Sequence, residues 1–239
     1  MKKLLPILIA AGLILALPYK ASASAFSVDP FYAIQSYGEY ENVKDLLKDE
    51  SAINYGWARI AKDVSGVMVF TTERNSISKF DTNNRFAIPQ TVDGKLTQQM
   101  RKEQYPAGKN LLMVYFYNTK YEDGSINTID LLNMNKTEWD QKIISPMISA
   151  VEKNGFDGVT LDIEGIMDSF TSDHYNESQN KGLKQKYNSF IDELKSKLNG
   201  KTLYVCVNMP SWFTGYDYVH IYNTADQVIL LSYSYDTIR

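Results

Sequence analysis

The stretch Phe156-Asp157-Gly158-Val159-Thr160-Leu161-Asp162-Ile163-Glu164-Gly165 constrains this chain more than any other. An apolar run with β-branched residues, entered from Asn154-Gly155, reads as a buried strand that follows a helix just ended. Side chains alternate along a strand, so Thr160, Asp162 and Glu164 share one face and Val159, Leu161 and Ile163 share the other. Two carboxyl groups on one face of an otherwise apolar strand, at its C-terminal end, are costly to bury without a purpose. Like charges at the roughly 7 Å spacing of alternate strand residues raise the proton affinity of one of the pair. A carboxylic acid held protonated near neutral pH in this way can serve as a general acid.

Strand and helix patterns alternate along the rest of the chain. Phe31 to Tyr37 reads as a first strand, Asn42 to Asp49 as a short helix and Ala52 to Trp57 as a second strand. Val67 to Phe70 and Arg85 to Ile88 flank a polar segment and read as a small hairpin inserted after strand two. Lys95 to Glu103 is a helix candidate, and Leu111 to Tyr117 is apolar on both faces, as a buried parallel strand should be. Trp139, Ile143, Met147, Ile148 and Val151 recur at helical spacing, with Pro146 expected to bend that helix. A second helix, about Ser178 to Leu198, carries the stripe Leu183, Tyr187, Phe190, Ile191, Leu194 and Leu198 and stops at Asn199-Gly200. Lys201 to Asn208 and Val228 to Tyr233 complete the strands.

This alternation implies right-handed βαβ units and a parallel sheet. About six such units make most of a TIM (β/α)8-type barrel, in which active sites gather at the C-terminal ends of the strands. The predicted fold is therefore an incomplete α/β barrel with a β-hairpin insertion, and the chain reads as a fragment of a longer protein.

Lys2-Lys3, the apolar run Leu4 to Leu17 and the small residues Ala21 to Ala25 have the layout of a secretory signal peptide, cut after Ala23 or Ala25. The run is short for a membrane span and is interrupted by Pro6 and Pro18. Residues 1–25 are thus expected to be removed, leaving residues 26–239 as one secreted or cell-wall-associated domain without stable membrane insertion. Roughly 215 residues suit a single α/β domain. The one cysteine, Cys206, allows no internal disulfide and is expected to be a buried, inert thiol. A formal net charge of −3 gives no reason to propose nucleic acid or an anionic membrane as partner. His174 and His220 are the only histidines and have no second ligand at metal-binding spacing, so no metal is expected. No phosphate-cradling Gly-rich loop or nucleophile elbow occurs, and no cofactor is expected. The 17 tyrosines suit stacking on sugar faces, and core packing explains many of them equally well.

The stretch Asp157-Gly158-Val159-Thr160-Leu161-Asp162-Ile163-Glu164 resembles the signature of glycoside hydrolase family 18, usually written DGxDxDxE. That family includes chitinases, endo-β-N-acetylglucosaminidases and bacterial enzymes that cut spore cortex peptidoglycan. Asn54-Tyr55-Gly56-Trp57 resembles the second strand of the cortex-lytic branch, and Leu231-Ser232-Tyr233-Ser234-Tyr235-Asp236 resembles the family's sixth strand, which ends in Met-x-Tyr-Asp. The resemblance implies a substrate-assisted retaining mechanism, in which the 2-acetamido oxygen of the substrate attacks the anomeric carbon. It implies Glu164 as general acid, Asp162 as the group that orients the acetamido and stabilises its charge, and Tyr233 as a donor to the acetamido oxygen.

Thr160 stands where the family usually has a further Asp, so the task of keeping a proton on Glu164 falls to Asp162. Two registers fit the sixth strand, one pairing Tyr233 with Ser234 and the other pairing Tyr235 with Asp236, which would then touch substrate. Asp157 has the opposite parity and is expected to bind backbone at the strand entry. Trp57, Tyr115, Tyr117 and Trp212 are candidates to line the sugar groove, with core packing as the competing role. The expected partner is an N-acetylglucosamine-containing glycan, chitin-like or peptidoglycan, bound by a monomer. The competing function is a non-hydrolytic, carbohydrate-binding protein of the same fold, a chitinase-like lectin.

Overall fold

The computed structural model describes residues 29–32, 37–48, 50–72, 97–116, 125–168, 181–209 and 213–232. Its strands are β1 (Phe31–Tyr32), β2 (Ala52–Lys62), β3 (Met68–Thr71), β4 (Lys109–Phe116), β5 (Gly158–Ile163), β6 (Thr202–Asn208) and β7 (Gln227–Leu231). All but β3 run parallel, in the order β1-β2-β4-β5-β6-β7, and β3 pairs antiparallel with the far end of β2. The helices are α1 (Tyr37–Leu47), α2 (Thr97–Gln104), α3 (Asn127–Asn133), α4 (Lys136–Trp139), α5 (Ser145–Lys153), α6 (Leu183–Lys197) and α7 (Tyr218–Thr224). The result is the incomplete α/β barrel that the sequence predicts: a curled parallel sheet with helices on its convex side.

The two faces of the sheet bury different things. On the convex face, Leu112, Val114, Val159, Leu161, Ile163, Leu203 and Val205 join one apolar cluster with helix residues such as Ile143, Met147, Leu183, Phe190 and Leu194. Each such side chain removed from water contributes about 1.5–3 kcal/mol, so this seam is what holds the helices to the sheet. On the concave face, Ala52, Leu111 and Tyr204, with Ile229 beside them, form a small separate cluster near the strand entries. Asn54 is buried near the strand entries, and toward the exits that face turns polar, with Thr160, Asp162 and Asn208 all buried.

The hairpin expected after strand two exists with a different first arm. Asp63 Oδ1 accepts from the backbone N–H of Ser65 (2.8 Å) and Val67 (3.0 Å), folding the turn that returns β3 onto Arg59–Lys62. The segment 85–88 lies outside the described residues. The helix that begins near Thr137 departs from regular α-geometry just ahead of Pro146, in a wider turn. A π-helical turn over Asp140–Ile144 joins α4 to α5, and Pro146 sits in the first turn of α5. A proline has no N–H to offer the preceding turn, so the ladder shifts by one residue ahead of it. The short helices α3 and α7 carry no pattern long enough to predict.

One irregularity re-aims a side chain toward the site. Tyr55 pairs with Leu112 and Ala58 with Val114, so β2 carries one extra residue across Gly56-Trp57. A bulge of this kind reverses the alternation of everything after it. Arg59 is thereby aligned with Tyr115 and Asp162 across three strands, and its guanidinium lies 5.2 Å from the Tyr115 ring centre.

Candidate active site

Alternation along β5 puts Gly158, Thr160 and Asp162 on the concave face, each level with residues of β4 and β6. Thr160 is fully buried and donates from its hydroxyl to Asn54 Oδ1, while the Asn54 side-chain amide reaches back to the carbonyls of Asp29 (3.1 Å) and Pro30 (3.3 Å). Thr160 therefore braces the sheet across to β1. Asp162 lies two residues farther along, between Tyr115 of β4 and Cys206 of β6, and only 2% of it is exposed. Its Oδ1 is buried with no hydrogen-bond partner among the described residues. Glu164 follows just past the strand end, half-buried, with its backbone N–H donating to the Phe116 carbonyl at 3.0 Å.

Burial pushes the Asp162 carboxyl up to about 8, and the charge of Glu164 beside it pushes in the same direction. Burial also raises Glu164 above the ordinary carboxylate range. The expectation that the proton sits on Glu164, held there by a charged Asp162, is thus reversed in the resting site. Asp162 is enclosed by three strands, whereas Glu164 stands at the rim where water can solvate its charge, so the inner acid holds its proton more tightly.

Titration of Asp162 has a consequence for stability. Unfolded, an aspartate releases its proton near 3.8; in this fold Asp162 keeps it to about 8. Between those limits the folded chain binds more protons than the unfolded one, so stability falls as pH rises from about 4 to about 8 and then levels. Asp162→Asn removes the titration. The variant is expected to be more stable than the parent at pH 8, by roughly 2–5 kcal/mol, with the gap closing toward pH 4. Urea unfolding at several pH values reads this directly, and an unchanged pH slope would contradict it.

The other residues singled out from sequence fall in several places. Asp157, at the entry of β5, accepts from the Asn110 backbone N–H at 2.8 Å and from Lys102 Nζ at 3.0 Å, on the opposite end of the strand from the acids. Tyr115 is half-buried on the concave face beside Asp162. Trp57 belongs to β2 at its extra residue, and its side chain lies outside what is described. Tyr117, His174, Trp212, Tyr233, Ser234 and Asp236 also lie outside the described residues. Cys206 is buried, and burial together with the Asp162 and Glu164 charges drives its thiol upward, which keeps it neutral. Among the described residues no three His, Cys, Asp or Glu side chains come together as a metal would need.

Sequence reasoning did not find Arg59, Asn208 or Tyr216. Asn208 ends β6 on the same face as Asp162, and Tyr216 follows in the next loop, buried. A polar residue of inward parity at a strand exit was the available signal for Asn208.

The model of glycosyl hydrolase family 66 matches residues 67–225, well over half of the chain and all of β5. The chain belongs to glycosyl hydrolase family 66. This family-66 chain also resembles, in fold, several solved structures of other enzymes. It aligns with the spore cortex-lytic enzyme SleL of Bacillus cereus at a TM-score of 0.56 and 13% identity, over 87% of this chain and 42% of that one. It aligns with a GH18 chitinase from Pseudoalteromonas aurantia at 0.53 and 13%, over 86% and 67% of the two chains. A third alignment is with a catalytic domain of an Ostrinia furnacalis group II chitinase, solved in complex with penta-N-acetylchitooctaose, at 0.50 and 19%, over 78% and 43%. The chain spans less than half the length of the insect domain and of the cortex-lytic enzyme. A sequence comparison with curated proteins finds no match. Family 66 and the family-18 signature agree on glycoside hydrolysis and differ on the family.

Proposed function

We propose that this chain is the site-bearing part of a glycosidase that cuts β-linked N-acetylhexosamine glycans, chitin-like or peptidoglycan, by substrate-assisted retention. The observation that carries the proposal is Asp162: a buried acid on the concave face whose Oδ1 has no partner among the described residues, beside a rim acid at the same strand exit. An unsatisfied buried acceptor is expensive, and an acetamido N–H from a bound sugar would satisfy it. Accepting that bond favours the ionised form of Asp162, so its proton passes to Glu164 as substrate binds.

Glu164 then protonates the departing glycosidic oxygen while the acetamido oxygen attacks the anomeric carbon and the C–O bond breaks. Ionised Asp162 stabilises the positive charge spread over the resulting oxazolinium ring. Water opens that ring from the face the leaving sugar vacated and gives its proton to Glu164. Tyr233 is assigned to the acetamido oxygen by the family-18 resemblance. Export fits the leader-like Lys2-Lys3 and apolar run, and a secreted or cell-wall site of action is proposed on that ground.

The family-66 match favours a second reading, in which Asp162 and Glu164 act as nucleophile and acid of an ordinary retaining glycosidase. The two readings differ in what they require of the substrate. Initial rates on a β-1,4 N-acetylglucosamine oligomer and on its N-deacetylated counterpart separate them. Substrate assistance predicts turnover of the first only, with at least about a hundred-fold preference. Equal rates would replace it by the two-carboxylate reading, and oligomer binding without release of reducing ends would leave a lectin.

A further inference from the structure

We infer that Asn208 and Tyr216 form a clamp that positions Glu164, acting on the backbone on both sides of it; the inference rests on the glycosidase reading above. Three backbone polar groups around Glu164, from the two peptide units that flank it, are each tied to a different element. The Ile163 carbonyl accepts from the Tyr216 hydroxyl at 2.7 Å, the Glu164 N–H goes to Phe116 of β4, and the Gly165 N–H donates to Asn208 Oδ1 at 2.9 Å. Because Gly165 N can only donate, it fixes which way round the Asn208 amide sits. The Tyr216 hydroxyl also lies 2.7 Å from Asn208 Oδ1, so one hydroxyl proton is shared between the two acceptors that flank the acid.

The clamp is itself held in place. Tyr216 is buried, and burial raises its phenol far above the ordinary range, so it remains a neutral donor. Its ring packs edge-on against Tyr187 of α6, with centroids 5.8 Å apart. The Asn208 carbonyl accepts from the Tyr218 hydroxyl at 2.9 Å. Two further bonds staple the loop after β5 to the loop after β6: Gly215 N–H to the Ile166 carbonyl (3.1 Å) and Asp168 N–H to Thr214 Oγ1 (3.2 Å).

Gly165 has φ +76°, a left-handed turn that lifts the chain off the strand immediately after the acid. An exit that turns so sharply would leave Glu164 on a free loop. Bonds from β6 and its loop convert that loop into part of the sheet rim. Neither Asn208 nor Tyr216 is assigned any contact with the reacting atoms; both are positioning residues.

The test uses Asn208→Ala and Tyr216→Phe in the full chain, with N-acetylglucosamine oligomer turnover and amide hydrogen exchange as readouts. Misplacing a catalytic group by about 1 Å costs on the order of a hundred-fold in rate. Asn208→Ala is therefore expected to lower kcat by roughly 10–100-fold with KM within about two-fold of the parent, and to speed exchange at the Gly165 amide. Asn208→Asp keeps an oxygen acceptor for Gly165 and should recover Gly165 protection. Tyr216→Phe removes only the hydroxyl and decides the matter if Asn208→Ala does not fold; it should lower kcat in the same sense.

A folded Asn208→Ala or Tyr216→Phe with parental kcat would overturn the clamp, as would a rise in KM with kcat unchanged. If the parent turns over no glycan, the glycosidase reading fails by itself. Gly165 exchange then decides the clamp alone, and unchanged protection in Asn208→Ala would sink it.

Discussion

Glu164→Gln is expected to lower kcat for hydrolysis of an N-acetylglucosamine oligomer by roughly 10²–10⁴-fold, the usual contribution of a positioned general acid, while the oligomer still binds. Glutamine keeps the shape of the rim side chain and loses only the proton that the leaving oxygen needs. Among the described residues nothing pairs with the charge of Glu164, whose hydrogen bond comes from the backbone N–H. The variant should therefore melt close to the parent. It should also lower the proton affinity of Asp162, because the Glu164 charge is one of the two influences that raise it. Parental turnover in this variant would remove Glu164 from its role.

The second large effect concerns Gly158, at the start of the acidic strand. Here β5 and β6 approach so closely that a Cβ on Gly158 would overlap the Thr202 carbonyl oxygen and come within 2.8 Å of the Thr202 nitrogen. The obstacle is backbone in the middle of a parallel sheet and cannot rotate away. Gly158→Ala must therefore spread two central strands, at a cost of about 3–4 kcal/mol. For a chain of this size that lowers the melting temperature by roughly 10 °C. Thermal unfolding reads it, and a variant melting within about 2 °C of the parent would contradict the strand contact. The Gly of the acidic signature thus has a structural reason independent of catalysis.

How far the sequence could be read follows from which interactions are local. Val159, Leu161 and Ile163 alternate with Thr160 and Asp162 because one face meets helices and the other meets the barrel interior, and that periodicity is visible in a string of letters. The stripes of α5 and α6 are legible for the same reason, since each is long enough to repeat. The extra residue at Gly56-Trp57 is not: it exists only as a mismatch between two strands, and without it Arg59 belongs to the wrong face. Helix α7, seven residues with Val219 and Tyr222 exposed, buries too little to leave a pattern. Asn208 and Tyr216 act across 43 and 53 positions of sequence on the backbone around Glu164, which no local rule anticipates. The residence of the proton on Asp162 depends on how deeply each acid is enclosed, and strand parity says nothing about depth.

The proton on this pair is measured most directly by carbon-13 NMR titration of the Asp162 and Glu164 carboxyl groups in the parent chain. The expected result is an Asp162 resonance that titrates near 8, with Glu164 above its ordinary 4.5 and the Asp162 midpoint falling in Glu164→Gln. Both carboxyls titrating at or below the ordinary carboxylate range would contradict it, because no acid in the site would then hold a proton to give at neutral pH.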